Sequence, residues 1–327
     1  MMKAVLISEF GGPEVMHIGE RPKPDCGPEE LLVKVKATAI NRADTMQRAG
    51  KYPPPPGATD IMGLEMAGEI VETGTKVSGW QKGEGVCALL SGGGYAEYVS
   101  IPAATAMKIP EGWDYIKAAA MPEVYLTAFQ ALDWIGDLQA GEKILIHAGA
   151  SGVGTAATQI ALLKGAEVIV TASAGKHALC LELGANKAID YKSEDFAAVI
   201  AEYTNGTGVN FILDFIAAPY FQSNLNSLAL DGRLVMLSLM GGVKVDGINL
   251  APILRKRLSI LGSTLRSRSL DYKISLTRAF CQFAEPFWQK GELQPVIDSI
   301  FPWTEVKEAH QHMGANQNKG KIVMKMD

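Results

Sequence analysis

Residues 142–154, with the sequence EKILIHAGASGVG, determine how the middle of the chain folds. The apolar run at 144–146 is typical of a strand that is buried on both faces. Three glycines follow, then small and apolar residues at helical spacing over 153–163, and then a second apolar run at 168–170. This order of strand, glycine turn, helix and strand predicts a βαβ unit of dinucleotide-binding length.

The glycine turn is the predicted phosphate-binding element, although its spacing departs from the plain G-x-G-x-x-G pattern. Glycines let the backbone turn tightly and bring N–H groups close to a pyrophosphate, and the helix N-terminus adds donors and a positive dipole end. We therefore assign Gly149, Ser151, Gly152, Val153 and Gly154 to cofactor binding. The alternative is a turn between strand and helix that binds no ligand.

The end of the second strand indicates which dinucleotide binds. An NAD site usually places Asp or Glu there to hold the ribose 2′-OH, whereas this chain has Ser173 and, three residues later, Lys176. A carboxylate would repel a 2′-phosphate, while a hydroxyl and an ammonium bind it. We therefore predict NADPH as the cofactor. The alternative is that Ser173 caps the next helix and Lys176 is a solvated charge.

Composition narrows the class of protein. A chain of 327 residues suits two domains, and 47% hydrophobic with 20% charged residues is typical of soluble proteins. The net charge of −4 favours neither nucleic acid nor an anionic membrane, no apolar run approaches membrane-spanning length, and the N-terminus lacks a signal-peptide layout. The four cysteines are far apart without a C-x-x-C pair, so we expect no disulfide framework and a cytoplasmic location.

The rest of the chain separates into a β-rich part, residues 1–120, and a part from 142 to 262 where strands alternate with helices. That alternation predicts a parallel, doubly wound sheet and an α/β fold. The predicted strands are 4–7, 31–37, 66–71, 85–90, 96–99, 143–148, 167–171, 187–190, 210–214, 233–238, 258–262 and 320–324. The predicted helices are one from 123, then 152–164, 175–184, 194–203, 220–229, 272–289 and 304–315.

Several motifs along the chain point to a family. They are AINRAD at 39–44, GLE at 63–65, GYAEYV at 94–99, LTA at 126–128, the glycine turn, and Asn316 with GKIV at 320–323. Together these motifs resemble those of the medium-chain dehydrogenase/reductase superfamily. Within it the chain is similar to the zinc-free quinone oxidoreductases related to zeta-crystallin, and most similar to their p53-inducible branch.

The resemblance implies a split domain organisation. Residues 1–122 and 266–327 would form a GroES-like β-barrel catalytic domain, and residues 123–265 would form a Rossmann NADPH-binding domain inserted into it. The final strand would then return to the first domain, and the active site would lie in the cleft between the two.

The resemblance also implies that no metal is bound. Zinc alcohol dehydrogenases hold catalytic zinc with a Cys near the position of Asn41 and with the His of a Gly-His-Glu triplet. Here the triplet is Gly63-Leu64-Glu65, and leucine cannot ligate zinc, which usually needs three protein ligands in a catalytic site. The four-cysteine loop of those enzymes is also missing.

Two residues are predicted to be catalytic by this resemblance. Asn41 resembles a polar residue that faces the nicotinamide and substrate, although it can instead satisfy local backbone. Tyr52 resembles a substrate-facing tyrosine whose phenol orients a quinone oxygen or relays a proton, although it can instead pack on the prolines 53–56. For Asp44 we favour a structural role at a helix start.

Further residues are assigned to the cofactor by resemblance. Thr127 would contact the nicotinamide side, Tyr191 would lie beside the adenosine ribose phosphate, and Met240 with Gly241 would line the nicotinamide pocket. Thr127 can instead be a helix threonine bonded to its own backbone, and Tyr191 can instead be a surface aromatic. Leu265 and Asn316 would close over the cofactor.

Three other positions are interpreted structurally. Arg266 and Arg268 are expected to be surface charges, and His147 is expected to be a buried histidine bonded to backbone. Ala217-Ala218 stands where many relatives have Gly-Gly, which leaves the backbone path there open.

The resulting hypothesis is an NADPH-dependent, zinc-independent reductase of small quinones, including ortho-quinones. The resemblance leaves open whether one electron or a hydride is transferred. A reductase of α,β-unsaturated carbonyls is the alternative, with Tyr52 as the proton donor, and a non-catalytic NADPH-binding sensor or partner-binding protein is an alternative of another class. A homodimer, formed through edge strands near 234–262, is expected by resemblance.

Overall fold

The computed structural model describes residues 1–326, and it divides into two compact units. Unit 1 contains Met1–Leu126 together with the chain from Leu265 to its C-terminal end, and unit 2 contains Thr127–Thr264. The two domain boundaries predicted from the sequence fall after residue 122 and before residue 266.

The strands and helices are numbered in chain order. The strands are β1 (Met2–Ile7), β2 (Met16–Arg21), β3 (Glu30–Ile40), β4 (Glu65–Thr73), β5 (Gly85–Leu89), β6 (Tyr98–Pro102), β7 (Ala106–Lys108), β8 (Lys143–Ile146), β9 (Glu167–Ala172), β10 (Lys187–Asp190), β11 (Val209–Asp214), β12 (Leu228–Met236), β13 (Ser259–Gly262), β14 (Ile297–Pro302) and β15 (Lys321–Lys325). The α-helices are α1 (Arg42–Arg48), α2 (Tyr115–Ala119), α3 (Pro122–Phe129), α4 (Gly152–Leu163), α5 (His177–Glu182), α6 (Phe196–Tyr203), α7 (Phe221–Ser227), α8 (Ala251–Arg255), α9 (Leu270–Lys290) and α10 (Val306–Gly314).

Unit 1 is built on a sheet with the order β14-β15-β3-β4-β5-β7. The long strand β3 pairs with two strands along one of its edges. Its residues 30–34 pair with β6, and its residues 37–40 pair with β15. Two register shifts bend β3 where it pairs with β4 on its other edge. The sheet closes around a core of buried aliphatic side chains, with Tyr95 and Trp303 at its sides. This is the GroES-like β-domain that the sequence predicted.

Unit 2 contains an all-parallel sheet with the order β10-β9-β8-β11-β12-β13. Counted along the chain this is the order 3-2-1-4-5-6 of a dinucleotide-binding fold. The order reverses between β8 and β11, so their carboxyl ends mark the position where such folds bind ligands. The predicted doubly wound α/β fold is therefore confirmed.

Some predicted element bounds were wrong. The helix expected at 220–229 ends at Ser227, because Leu228 takes an extended backbone with φ −70° and ψ 142° and begins β12. The strand expected at 233–238 consequently starts five residues earlier. Strands β2, β7 and β14 were not predicted. Each is held in the structure by pairing with another strand, namely β1, β5 and β15.

Candidate cofactor and active-site residues

Ser151 starts helix α4 and fixes the glycine turn of unit 2. Its Oγ accepts a hydrogen bond from the Gly154 N–H at 3.0 Å, as an N-cap side chain does. The N–H groups of Gly152 and Val153 lie in the first turn of the 12-residue helix, where no intrahelical acceptor exists for them. These donors and the positive end of the helix dipole suit a pyrophosphate.

Two glycines of the turn are required by close packing. A Cβ atom on Gly149 would lie 2.5 Å from Cβ of Val170, and one on Gly154 would lie 2.3 Å from the carbonyl oxygen of Ala148. The Gly149 N–H also donates to the Thr171 carbonyl at 2.9 Å, which ties the turn to β9. A side chain at either glycine would therefore push the turn away from the strand.

Ser173 and Tyr191 follow paired residues of neighbouring strands, because Ala172 of β9 is in register with Asp190 of β10. Tyr191 is 46% exposed. Ser173 takes the N-cap position of a short 3-10 turn, but its side chain makes no capping hydrogen bond, so the capping alternative is wrong. Lys176 is the last residue of that turn and is half-buried.

His147 is fully buried, as expected, but its ring is bonded to side chains and not to backbone. Its Nε2 lies 2.8 Å from Oδ1 of Asn224, whose Nδ2 donates to Oδ2 of Asp214 at 3.1 Å. Since the Asn224 oxygen must therefore accept, His147 carries its proton on Nε2 and accepts from the Thr171 hydroxyl at Nδ1, 3.0 Å away. Burial lowers the pKa of His147, which keeps the ring neutral.

Asp214 shapes the loop that follows β11. Its carboxylate accepts from the N–H groups of Ile216 at 2.7 Å and Ala217 at 3.1 Å. Ala217 has a positive φ of 67°, which glycine adopts freely and alanine rarely does. Gly241 donates to the Ile216 carbonyl at 2.8 Å, which pairs this loop with the one that carries the exposed Met240.

Thr127 is the first residue of unit 2 and lies in α3. Its Oγ1 is buried and has no hydrogen-bond partner, so the alternative of a threonine bonded to its own backbone is wrong. A buried hydroxyl without a partner is costly, which makes Oγ1 a free donor or acceptor for a ligand.

Asn41 in unit 1 belongs to a buried polar network. Its Nδ2 donates to Oε1 of Glu65 at 2.8 Å, and its Oδ1 accepts from Nζ of Lys321 at 2.7 Å. Lys321 also lies 2.6 Å from the same Glu65 oxygen and donates to the Ile40 carbonyl at 3.1 Å. Asn41 is also the N-cap residue of α1 and forms a capping box with Asp44, so it uses most of its hydrogen-bonding capacity inside unit 1.

Glu123 lies beside this network at the start of α3 and was missed by the sequence analysis. Its backbone N–H donates to Oε2 of Glu65 at 2.8 Å. Removal of its carboxyl group from water and, next, the negative charge of Glu65 raise the pKa of Glu123 to about 8. Glu123 is therefore predominantly a protonated acid at neutral pH, while its side chain remains partly exposed.

Arg266 is buried, and the expectation that it is a surface charge is wrong. Its guanidinium lies over the Tyr52 ring, 5.4 Å from the centroid. Its Nη2 donates to Oε1 of Gln47 at 2.7 Å, and both Nε and Nη2 donate to the Ser91 carbonyl. Burial and the nearby Glu123 raise the pKa of Tyr52, which keeps its phenol protonated.

Asp44 holds the start of α1, as favoured from the sequence. Its carboxylate accepts from the Asn41 N–H at 2.8 Å and from the Gly63 N–H at 3.1 Å. The hydroxyl of Tyr95 is hydrogen-bonded to it as well, and on its other side Tyr95 lies 3.1 Å from Nε2 of His310. Asp44 therefore fixes the positions of both Gly63, which precedes Leu64, and Asn41, the N-cap residue of α1.

The remaining predicted residues lie at separate places in unit 1. Leu265 is buried, while Asn316 is exposed and accepts a hydrogen bond from Arg42. Arg268 is exposed and stacks on Tyr272, 4.6 Å from the ring centroid, so its assignment to the surface agrees with the structure.

No three His, Cys, Asp or Glu side chains within residues 1–326 are grouped so that they could hold a metal ion. Leu64 is buried in the triplet where zinc alcohol dehydrogenases have histidine. No helix among the described residues combines the length and apolar character that a membrane span requires.

Comparison with known proteins agrees with this architecture. Residues 27–111 match the alcohol dehydrogenase GroES-like domain, and residues 152–280 match a family described as zinc-binding dehydrogenase. A quinone oxidoreductase of Lama guanicoe is 33% identical over 331 residues, which covers 99% of this chain and 97% of that protein. The chain belongs to the zeta-crystallin-like quinone oxidoreductases. This family is part of the medium-chain dehydrogenase/reductase superfamily, as the motifs indicated.

Solved structures extend the comparison to both units of this family member. A quinone oxidoreductase of Pseudomonas syringae pv. Tomato DC3000 is 28% identical with a TM-score of 0.87, covering 99% of this chain and 100% of that chain. A mycobacterial protein solved in complex with NADPH is 27% identical with a TM-score of 0.88, covering 99% and 100%.

Proposed function

We propose that this protein is an NADPH-dependent quinone oxidoreductase that acts without zinc on small quinones, ortho-quinones among them. The observation that carries the cofactor assignment is at the end of β9. Ser173 stands there in place of a carboxylate, and its hydroxyl makes no capping hydrogen bond. The activity is supported by the relatives that bear this name, and by a set of protonated groups around Tyr52 that suits a carbonyl oxygen.

The residues of unit 2 are proposed to bind NADPH. Gly149, Ser151, Gly152, Val153 and Gly154 would hold the pyrophosphate, and the pairing of Gly154 with Ser151 keeps the turn preformed. The 2′-phosphate would be held by Ser173 and Lys176, with Tyr191 beside the ribose. The hydroxyl of Thr127, the loop of Met240 and Gly241, and from unit 1 Leu265 and Asn316, would contact the rest of the cofactor.

The residues of unit 1 are proposed to orient the quinone. Bound NADPH supplies the reducing equivalents, so the protein needs to position the acceptor and deliver a proton. The phenol of Tyr52 would donate to a quinone oxygen, and Arg266 would hold the ring of Tyr52 in place. Glu123 would supply a proton, and the side chain of Asn41 would face the quinone and the nicotinamide.

Initial rates test this proposal. We expect the protein to oxidise NADPH faster than NADH with 1,2-naphthoquinone as acceptor, and to do so after dialysis against a chelator. NADPH that binds without turnover of 1,2-naphthoquinone or an enone would overturn the enzyme assignment and favour the sensor alternative.

Glu123 also supports a second candidate function, the reduction of α,β-unsaturated carbonyls. That reaction needs a proton at the α-carbon, and a carboxylic acid with a pKa near 8 is suited to give it. Turnover of trans-2-hexenal without turnover of 1,2-naphthoquinone would replace the first candidate by this one.

A homodimer in the cytoplasm completes the proposal. Strand β13 is the last strand of its sheet, and Leu250 and Leu254 before it are 63% and 83% exposed. Apolar side chains beside an unpaired strand edge suit a second copy of the chain. The four cysteines are free thiols, which agrees with a reducing compartment. Light scattering of the full chain and of Leu254→Glu tests the dimer, and the variant is expected to be monomeric.

A further inference from the structure

Unit 1 contains a cavity of about 780 Å³ that neither Asn41, Tyr52 nor any residue assigned to the cofactor lines. This volume lies within the range of small-molecule sites, which is about 300–1,000 Å³. Its walls are mainly apolar and come from the loop 55–61, from β5 and β6, and from the chain segment 266–273. The cavity is therefore large enough for an organic ligand with an apolar body.

One corner of the cavity carries two cations, Arg266 and Lys273, whose hydrogen bonds all go to neutral oxygen atoms. The buried guanidinium of Arg266 donates only to the Ser91 carbonyl and to the Gln47 amide oxygen, and its Nη1 is buried without any partner. The ammonium of Lys273 donates to the Ser91 hydroxyl at 2.9 Å and to the Arg266 carbonyl at 2.7 Å. The third N–H of that ammonium is left over.

The carboxyl groups near this corner are already occupied or neutral. Glu123 exerts the largest charge effect on Lys273, but its raised pKa keeps it mostly protonated at neutral pH. Asp44 exerts the largest charge effect on Arg266, but its hydrogen bonds go elsewhere. Asp44 accepts hydrogen bonds from Asn41 and Gly63 instead. Asp60 at the cavity wall lies 3.7 Å from Arg21. The corner therefore has an excess of positive charge.

An uncompensated cation away from water is unfavourable, and an anion placed beside it recovers that free energy. We propose that this cavity binds an organic anion with an apolar body, of the class of medium-chain carboxylates, with its head group at Arg266 and Lys273. Its apolar body would lie against Leu90, Val99 and Ile101, which are buried in the cavity wall. None of Asn41, Tyr52 and the proposed cofactor residues lines this site, and Arg266, which also stacks on Tyr52, borders both it and the proposed quinone site.

Isothermal titration of the full-length protein with decanoate tests the site. We expect saturable binding of one decanoate per chain, about tenfold tighter than decan-1-ol, because the alcohol offers the same body without the charge. Decyltrimethylammonium should not bind. Equal affinity for decanoate and decan-1-ol, or no saturable binding of decanoate, would overturn the proposal without requiring any variant to fold.

Variants locate the ligand. Lys273→Met removes the ammonium and should weaken decanoate binding about tenfold, while Ala58→Phe should fill part of the cavity that Ala58 lines and block binding. Lys290→Met, an exposed lysine at the end of the same helix α9, makes the same change in net charge and should bind like the parent. Equal binding by Lys273→Met and Lys290→Met would place decanoate elsewhere and reject the site.

Discussion

Lys321 and Glu65 form a buried ion pair, with 2.6 Å between Nζ and Oε1, although 256 residues separate them in the chain. Their side chains are 3% and 0% exposed. The pair joins β15 to β4 and orients the amide of Asn41, which both of them contact. The proposed catalytic amide therefore depends on a charge from the last strand.

Removing Lys321 should be strongly destabilising. Lys321→Met leaves the Glu65 carboxylate buried without its cation, which we expect to lower the free energy of unfolding by about 3–5 kcal/mol. Urea denaturation measures this. Lys325→Met, which changes an exposed lysine on the same strand, is the matched control. The double variant Lys321→Met/Glu65→Gln should recover part of the lost unfolding free energy. Equal midpoints for Lys321→Met and Lys325→Met would contradict the prediction.

Thr127→Val separates a structural role from cofactor binding. The hydroxyl has no partner, so its removal should stabilise the protein by about 1 kcal/mol in thermal or urea unfolding. If Oγ1 contacts the cofactor, the KM for NADPH should rise several-fold at the same time. Thr158→Val removes another buried, unpartnered hydroxyl of unit 2 and should raise stability without changing KM. A normal KM in Thr127→Val would remove Thr127 from the cofactor site.

Ser173→Asp should reverse the cofactor preference. A carboxylate at this position repels the 2′-phosphate of NADPH and can accept from the ribose 2′-OH of NADH. We expect kcat/KM with NADPH to fall about 10–100-fold and kcat/KM with NADH to stay level or rise. Lys176→Met should reduce kcat/KM with NADPH but not kcat/KM with NADH. Lys82→Met, at an exposed position, should change neither of these two values. An unchanged ratio in Ser173→Asp would refute the assignment.

Glu123 should impose an alkaline limit on activity. Because the proton donor must be protonated, the rate should be full well below pH 8 and fall as the pH rises through the pKa of about 8. Glu123→Gln should lower kcat with trans-2-hexenal roughly tenfold or more and abolish this limb of the pH profile. Glu111→Gln, at an exposed position, should keep it. Persistence of the limb in Glu123→Gln would assign the titration to another group.

Asn224→Ala tests the role of the His147 network. The change leaves His147 Nε2–H without its acceptor and frees the Asp214 carboxylate, so we expect a loss of about 1–3 kcal/mol in unfolding free energy. The loop after β11 should also loosen. This should lower the affinity for NADPH more than the affinity for 2′,5′-ADP, a ligand without nicotinamide. Asn226→Ala, exposed on the same helix, is the control. Equal weakening of both ligands would show that the loop does not contact nicotinamide.

The sequence predicted the fold of unit 2 well because its strands are buried on both faces and read as short apolar runs. It could not identify Glu123, because the pKa of this residue is raised first by burial in the folded unit and then by Glu65, which lies 58 residues earlier. Arg266 was misassigned for a similar reason, because its acceptors Gln47 and Ser91 come from distant loops. The register that aligns Ser173 with Tyr191 is likewise a property of paired strands rather than of either segment.

The position of β15 between β3 and β14 has a consequence for synthesis of the chain. Unit 2 is one continuous segment, so all of it can leave the ribosome and fold while unit 1 still lacks its C-terminal strands. The carboxylate of Glu65 must wait for Lys321, which is made 256 residues later. A nascent chain stalled before that point would hold a folded nucleotide-binding unit beside an unfinished β-domain.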